Sequence, residues 1–523
     1  MNDIKYVSTR GGGSPVSASE AIVHGIAEDG GLYFPDKIPK LDLKSLRGKR
    51  YTELAQAVFG AFLSDFTPDE IREIVNSSYL VDNFDVPDTV RLCPVGSRYV
   101  LELWHGPTCA FKDMALQALP HLLRCSALKV FGGKPKRIKI LTATSGDTGK
   151  AALEGFRDVS GVDITVYYPV NGVSGIQKRQ MITQEGGNVN VIAVAGNFDD
   201  CQTAVKSIFT NDDIRKVLKR KNAVFSSANS INWGRLLPQI VYYFYAYLKL
   251  TNDAEDNSPL MYFAGRADSV PVKRMKRGPV PFGAKINFAV PTGNFGNILA
   301  GYISKAMGLP VDKLICASNA NNILSDFINT GVYDANRKFH CTASPSMDIL
   351  VSSNLERAIY YASGRDTALT AKLMCDLRDN DKYKVGGNFL ARFRETFRGG
   401  FGDDLDAFDA IKTTFDEFGY LADTHTAVAL RVHDEYASIT GDRTPTVVLS
   451  TAHPYKFGNA VYRALEDAEP NIGEYKVLRR LAELTGVPVP DAIAWTERLP
   501  VRFSDNHVIS GGNIIADFMQ RLG

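Results

Sequence analysis

The sequence predicts an α/β protein with parallel sheets behind an accessory N-terminal unit, and three observations carry that prediction. From about Arg91 onward, short β-branched runs alternate with helical runs, the rhythm of strand–helix–strand units. Loops rich in glycine and hydroxyl residues follow those runs, where ligands bind in open sheets of this kind. The chain has 523 residues, 45% hydrophobic and 23% charged. That is ample apolar material, and the length corresponds to about three domain-sized units.

Residues 1–90 read as the accessory unit. They open on the turn-rich stretch Ser8-Thr9-Arg10-Gly11-Gly12-Gly13, and a helical pattern covers residues 51–62. A second helix is expected after Thr67, an N-cap followed by Pro68 at the first helical position. The remainder, 91–523, reads as the α/β region that carries the candidate ligand loops. Strands are expected at 100–104, 138–144, 164–168, 189–194, 286–290 and 446–449, with helices at 150–156, 176–185 and 298–307. Residues 252–284 break the rhythm with Arg266, Lys273, Arg274, Lys276, Arg277 and several Pro and Gly, and read as a surface insertion. No fixed-period repeat is visible.

Composition removes several classes of function. The net charge of +2 argues against nucleic acid as the main partner, so any anion site must be local. Seven cysteines without a C-x-x-C spacing fit neither a disulfide framework nor a zinc site, and no metal is expected. The first residues lack an apolar h-region, and the most apolar stretch, 236–250, is short and contains Pro238 and Gln239. A cytoplasmic protein without a membrane partner is therefore expected. The sequence leaves monomer and homodimer open.

Five loops hold the chemistry. Lys112 lies in His105-Gly106-Pro107-Thr108-Cys109-Ala110-Phe111-Lys112-Asp113, between an apolar strand and a helix, where an amine can form a Schiff base. Most lysines are solvated charges, so this loop alone decides nothing. Thr144-Ser145-Gly146-Asp147-Thr148-Gly149 puts hydroxyls and backbone N–H groups at a helix start, a cradle for a carboxylate or an ordinary N-cap turn. Pro291-Thr292-Gly293-Asn294-Phe295-Gly296-Asn297 allows close approach to a phosphate. It lacks the Walker A ending and the G-x-G-x-x-G spacing, which favours a small phosphate ester over a nucleotide. Asn229-Ser230-Ile231-Asn232 with Arg235 gathers polar donors and a guanidinium suited to a second phosphate, and Pro238 implies a first-turn position or a kink. In Ser450-Thr451-Ala452-His453-Pro454, Thr451 can bond a cofactor ring atom, whereas His453 reads as a satisfied loop histidine. One lysine, a carboxylate cradle and two phosphate cradles together suggest pyridoxal phosphate and a phosphorylated amino acid.

These five segments resemble the threonine synthase family, most closely its longer class. Asp29-Gly30-Gly31-Leu32-Tyr33, Ser344-Pro345-Ser346-Met347-Asp348-Ile349 and Asp423-Thr424-His425-Thr426-Ala427-Val428 extend the match in family order. The resemblance implies a tryptophan-synthase-β-like (fold type II) architecture with two open parallel-sheet subdomains. It implies that Lys112 bonds the cofactor as a Schiff base, that Gly293, Asn294, Phe295, Gly296 and Asn297 hold its phosphate, and that Thr451 faces its ring nitrogen. Substrate contacts are implied at Thr144, Ser145, Asp147 and Thr148 for the carboxylate, and at Asn229, Ser230 and Arg235 for the phosphate of O-phosphohomoserine. The implied activity is a carbon–oxygen lyase reaction giving threonine and phosphate. Thr292 stands where the family pattern has Ser, Lys178-Arg179 follows Gln177 where an acid is common, and the 252–284 insertion is extra. A phospho-lyase, a threonine dehydratase-like lyase and a non-catalytic binding relative are the competing readings.

Overall fold

The computed structural model describes residues 3–522 except 135, 145, 171–172, 197, 252–278 and 505–507. Ser145 and most of the insertion expected at 252–284 therefore lie outside the described residues.

A small antiparallel pair, β1 (Tyr6–Ser8) and β2 (Tyr33–Pro35), opens the chain. Helix Tyr51–Phe62 has the predicted bounds, and it buries Tyr51, Leu54, Ala55, Val58, Phe59 and Phe62 at helical spacing. Helix Pro68–Ser78 starts as its sequence dictates: the Thr67 hydroxyl accepts from the Glu70 N–H, and the Glu70 side chain accepts from the Thr67 N–H.

A hairpin follows, β3 (Arg91–Val95) and β4 (Arg98–Glu102). Then come β5 (Arg137–Ala143), β6 (Val162–Pro169), β7 (Val189–Ala195) and β8 (Ala223–Ser226), and further on β9 (Ile286–Pro291) and β10 (Val311–Ser318). β11 (Val332–Asp334) pairs antiparallel with β12 (Lys382–Lys384). β13 (Phe397–Phe401), β14 (Thr446–Ser450) and the short β15 (Ile509–Ser510) complete the set. The order β15-β7-β6-β5-β8 forms an all-parallel five-stranded sheet, and β13-β10-β9-β14-β4-β3 forms a six-stranded one.

The second sheet departs from the expected parallel form at one edge. β3 runs antiparallel to β4 because only Gly96 and Ser97 separate them, and a parallel pair needs a long crossover. Gly96 has φ +60°, the left-handed conformation such a tight turn requires. Pro94 is tolerated because β3 is an edge strand.

Helix Trp233–Leu250 runs through the middle of the molecule, buried at every position except Lys249. Pro238 lies inside this helix, past its first turn. The helix touches both the accessory helix Tyr51–Phe62 and helix Gly296–Ala306, so one apolar core runs from the N-terminal unit into the sheets. The Val280 N–H donates to the Leu250 carbonyl at 3.1 Å, so the chain resumes beside the point where it left. Among the described residues, no helix is long and apolar enough to cross a membrane.

Candidate active site

A cavity of about 1240 Å³ opens at the C-terminal ends of strands from both sheets. Of the residues singled out in the sequence, Lys112, Thr144, Thr148, Asn229, Ser230, Arg235, Gly293, Asn294, Phe295, Gly296, Asn297 and Thr451 line it. Five loops separated by up to 340 positions thus meet at one place.

Lys112 is held by backbone pairing. The Phe111 N–H donates to the Thr451 carbonyl at 2.8 Å, and the His453 N–H donates to the Cys109 carbonyl at 3.0 Å. The Asp113 carboxylate accepts from the Thr108 N–H and hydroxyl at 2.8 and 2.7 Å, closing the turn that presents Lys112. Burial pushes the Asp113 carboxyl up to about 6 despite those bonds.

The Lys112 ammonium is buried, 3.3 Å from Asp147 Oδ2 and 3.1 Å from Ser346 Oγ. Burial pushes its pKa below the ordinary lysine range; Asp147 opposes that, while Arg235 and Lys456 add to it. A lysine so placed releases its proton more readily than a surface one. The Ser346 N–H donates to His425 Nε2 at 3.1 Å, and the other ring nitrogen of His425 lies 2.9 Å from Asp423.

The loop after β9 is shaped to approach an anion. A Cβ at residue 293 would stand 2.8 Å from the Ser346 carbonyl oxygen, so glycine is required there. Phe295 takes the left-handed conformation, φ +59°, at the start of helix Gly296–Ala306. Asn297 Oδ1 accepts from the hydroxyls of Tyr242 at 2.6 Å and Tyr243 at 3.0 Å. Its Nδ2 is buried with no partner among the described residues. An unpaired buried donor at a helix N-terminus beside two glycines fits a phosphate ester.

Arg235 marks a second anion position in the same cavity. Its guanidinium donates to the Ala228 carbonyl at 2.6 Å and to Thr148 Oγ1 at 3.3 Å, and it has no carboxylate partner among the described residues. Burial brings its pKa down to about 10, so it stays charged at neutral pH. Ser230 is fixed beside it: its hydroxyl accepts from Asn354 Nδ2 at 2.9 Å and its carbonyl accepts from Arg357 at 3.2 Å. Thr144 Oγ1 accepts from the Gly146 and Gly149 N–H groups at 3.0 and 2.9 Å, ordering the start of helix Asp147–Phe156.

Asp147, expected at the substrate carboxylate, is itself paired with Lys112 at 3.3 Å, Gln177 Nε2 at 2.8 Å and Lys456 at 3.0 Å. Those partners hold it ionised against burial, and an ionised carboxylate repels another.

His453 is the satisfied loop histidine that the sequence suggested. Its Nδ1 accepts from the Tyr455 N–H at 3.2 Å, its ring stands edge-on to Trp104 at 4.7 Å, and burial pushes it down to about 3. Sequence reasoning missed Lys456, Asn354 and Arg357, and gave Ser346 no role. The one available signal for Lys456 was a charge inside the otherwise uncharged turn Pro454-Tyr455-Lys456-Phe457.

The pattern described as "Threonine synthase N terminus" matches residues 5–79, and "Threonine synthase, C-terminal" matches residues 426–489. Threonine synthase of Pseudomonas aeruginosa is 38% identical over 465 residues, covering 88% of this chain and 90% of that one. The chain belongs to the threonine synthase family. Threonine synthase-like 1 of Homo sapiens is 37% identical over 488 residues, which cover 90% of this chain but 61% of the human protein. The crystal structure of PLP-bound threonine synthase from Brucella melitensis superposes with a TM-score of 0.82 at 35% identity, covering 99% and 98% of the two chains. The fold of this threonine synthase family member is thus the fold type II architecture that the resemblance implied.

Proposed function

We propose that this protein is a threonine synthase that converts O-phospho-L-homoserine and water into L-threonine and phosphate, the closing step of threonine biosynthesis. The observation that carries the proposal is Arg235, a buried guanidinium without a carboxylate partner among the described residues, in the same cavity as Lys112. A lyase acting on free threonine has no use for it. A substrate phosphate supplies the missing counter-charge.

Pyridoxal phosphate fits the other half of the cavity. Gly293, Asn294, Phe295, Gly296 and Asn297 would hold its phosphate, where Asn297 Nδ2 lacks a partner. Lys112 would bond its aldehyde carbon, and Thr451 would face its ring nitrogen. When bound, the cofactor supplies an electron sink for carbanionic carbons of the substrate.

This chain's own groups supply the rest. Arg235, with Asn229 and Ser230, holds the substrate phosphate. Thr144, Thr148 and the N-terminus of helix Asp147–Phe156 receive the substrate carboxylate, a role extended to Ser145. Lys112, released when the substrate amine takes its place, moves protons at Cα and Cβ as general base and acid. Burial lowers its pKa and so eases release of its proton. Asp147 and Ser346 keep Lys112 Nζ in place. Residues 1–90 serve as an accessory domain, packing β2 and helix Tyr51–Phe62 behind the catalytic residues 91–523.

Equilibrium binding tests the carrying observation. The protein should bind O-phosphohomoserine far more tightly than homoserine, and Arg235→Ala should erase most of that preference. Charge-assisted hydrogen bonds of about 1.5–3 kcal/mol correspond to roughly 10- to 150-fold. Equal affinity for both compounds in the parent protein would remove the basis of the proposal.

A further inference from the structure

Asp147 has two cations, and only one of them reaches the cavity. Lys456 stands on the turn Pro454–Phe457, with none of its surface exposed. Its ammonium lies 3.0 Å from Asp147 Oδ1, 2.7 Å from the Thr108 carbonyl oxygen and 3.1 Å from Gln180 Oε1. Three acceptors take up its three N–H donors. Lys456 and Thr108 follow strands of the six-stranded sheet, whereas Asp147 and Gln180 belong to helices of the five-stranded half. A wholly buried ammonium is costly unless it is paired, and this one is paired with the carboxylate that also holds Lys112.

The charges explain why one cation is insufficient. Lys112 loses its ammonium charge whenever it acts as a neutral amine. Asp147 would then be a buried carboxylate with no cation, and burial would drive it to take up a proton. A protonated Asp147 would no longer attract Lys112. Lys456 faces the opposite carboxylate oxygen and is untouched by that change.

We propose that Lys456 is a positioning residue, a permanent counter-ion that keeps Asp147 ionised whatever the state of Lys112. Asp147 then holds Lys112 Nζ in one place through the cycle, and the extra positive charge eases loss of the Lys112 proton. The inference rests on the reading of Lys112 as the reactive amine. The groups facing Asp147 are Lys112, Ser346, Gln177 and Lys456. Arg235 acts on Lys112 from the cavity side, and Asp113 and Cys109 sense Lys456 from its own side.

Two measurements separate this role from that of a mere link between the two halves. The first follows, across pH, the rate at which pyridoxal phosphate added to cofactor-free protein develops the visible Schiff-base band. Lys456→Met should move the midpoint up by about one pH unit, roughly a tenfold loss of free amine at fixed pH. Lys456→Arg, which keeps the charge, should leave the midpoint near that of the parent. An unmoved midpoint in folded Lys456→Met, or an equal shift in both variants, overturns the proposal. The second uses Lys112→Ala and needs no substitution at Lys456. The Asp147 carboxyl, assigned in ¹³C NMR spectra by its loss in Asp147→Asn, should remain ionised at neutral pH. Finding it protonated overturns the proposal even if Lys456→Met does not fold. A parent protein that gives no band at any pH refutes the reading of Lys112 instead, and the NMR result still decides the role of Lys456.

Discussion

Lys112 Nζ lies 3.3 Å from Asp147 Oδ2; both side chains are buried, and Lys112 lines the cavity. A reactive amine needs this kind of place: dry enough to lower its pKa, and anchored enough to point one way.

The first prediction concerns that amine. Lys112→Ala should abolish the visible band given by pyridoxal phosphate while leaving the far-UV circular dichroism unchanged. Persistence of the band would assign the Schiff base to another lysine.

Asp147 should matter to the fold as well as to the site. Asp147→Asn leaves Lys112, Lys456 and Arg235 close together without a compensating anion. Breaking one side of a buried pair costs about 3–5 kcal/mol. Urea unfolding of the variant should show a loss of that size, and a loss within about 0.5 kcal/mol, typical of surface substitutions, would mean that the pair is effectively solvated.

The phosphate loop offers a steric test. In Gly293→Ala the new methyl would stand 2.8 Å from the Ser346 carbonyl oxygen, closer than Cβ contacts allow. The variant should bind pyridoxal phosphate at least roughly tenfold more weakly, an effect of about 1.4 kcal/mol. Unchanged affinity would place the cofactor phosphate elsewhere.

Acid should unfold the protein partly through Glu102. Burial pushes this carboxyl up, but Arg91 at 2.6 Å and His105 at 2.9 Å outweigh it and hold it at about 2. A carboxyl depressed in the folded state stabilises above its unfolded value of about 4.3, and that contribution disappears as pH falls through the folded value. The size is about 3 kcal/mol at most. His105, raised in the folded state, works in the opposite sense: its contribution is full below about 6.5 and is lost as pH rises through its folded value. Glu102→Gln should therefore flatten the stability curve between about pH 4.5 and 2. A variant curve parallel to the parent's would contradict this.

What the sequence disclosed, and what it did not, follows from the physics of each residue. The amphipathic helix Tyr51–Phe62 and the caps around Thr67 are local patterns, so they could be read directly. Strands β5, β6, β7, β9 and β14 are predominantly apolar runs rich in β-branched residues, as parallel strands are, and their loops carry distinctive glycines and hydroxyls. By contrast, β13 reads Phe-Arg-Gly-Gly-Phe over residues 397–401 and gains strand geometry only by pairing with β10. The direction of β3 depended on a two-residue turn that the strand–helix rhythm concealed. Lys456 and Arg357 are buried charges, and a sequence does not distinguish them from solvated ones. The side chain of Asp147 meets Lys456, more than 300 positions away, and Lys112 on a neighbouring loop, information that only the fold contains.

One assay tests the central claim most directly. Purified protein with pyridoxal phosphate and O-phosphohomoserine should release phosphate and threonine in equal amounts, both lost in Lys112→Ala. Phosphate accompanied by 2-oxobutyrate in place of threonine would make the protein a phospho-lyase on the same fold, and no turnover at all would contradict the catalytic account.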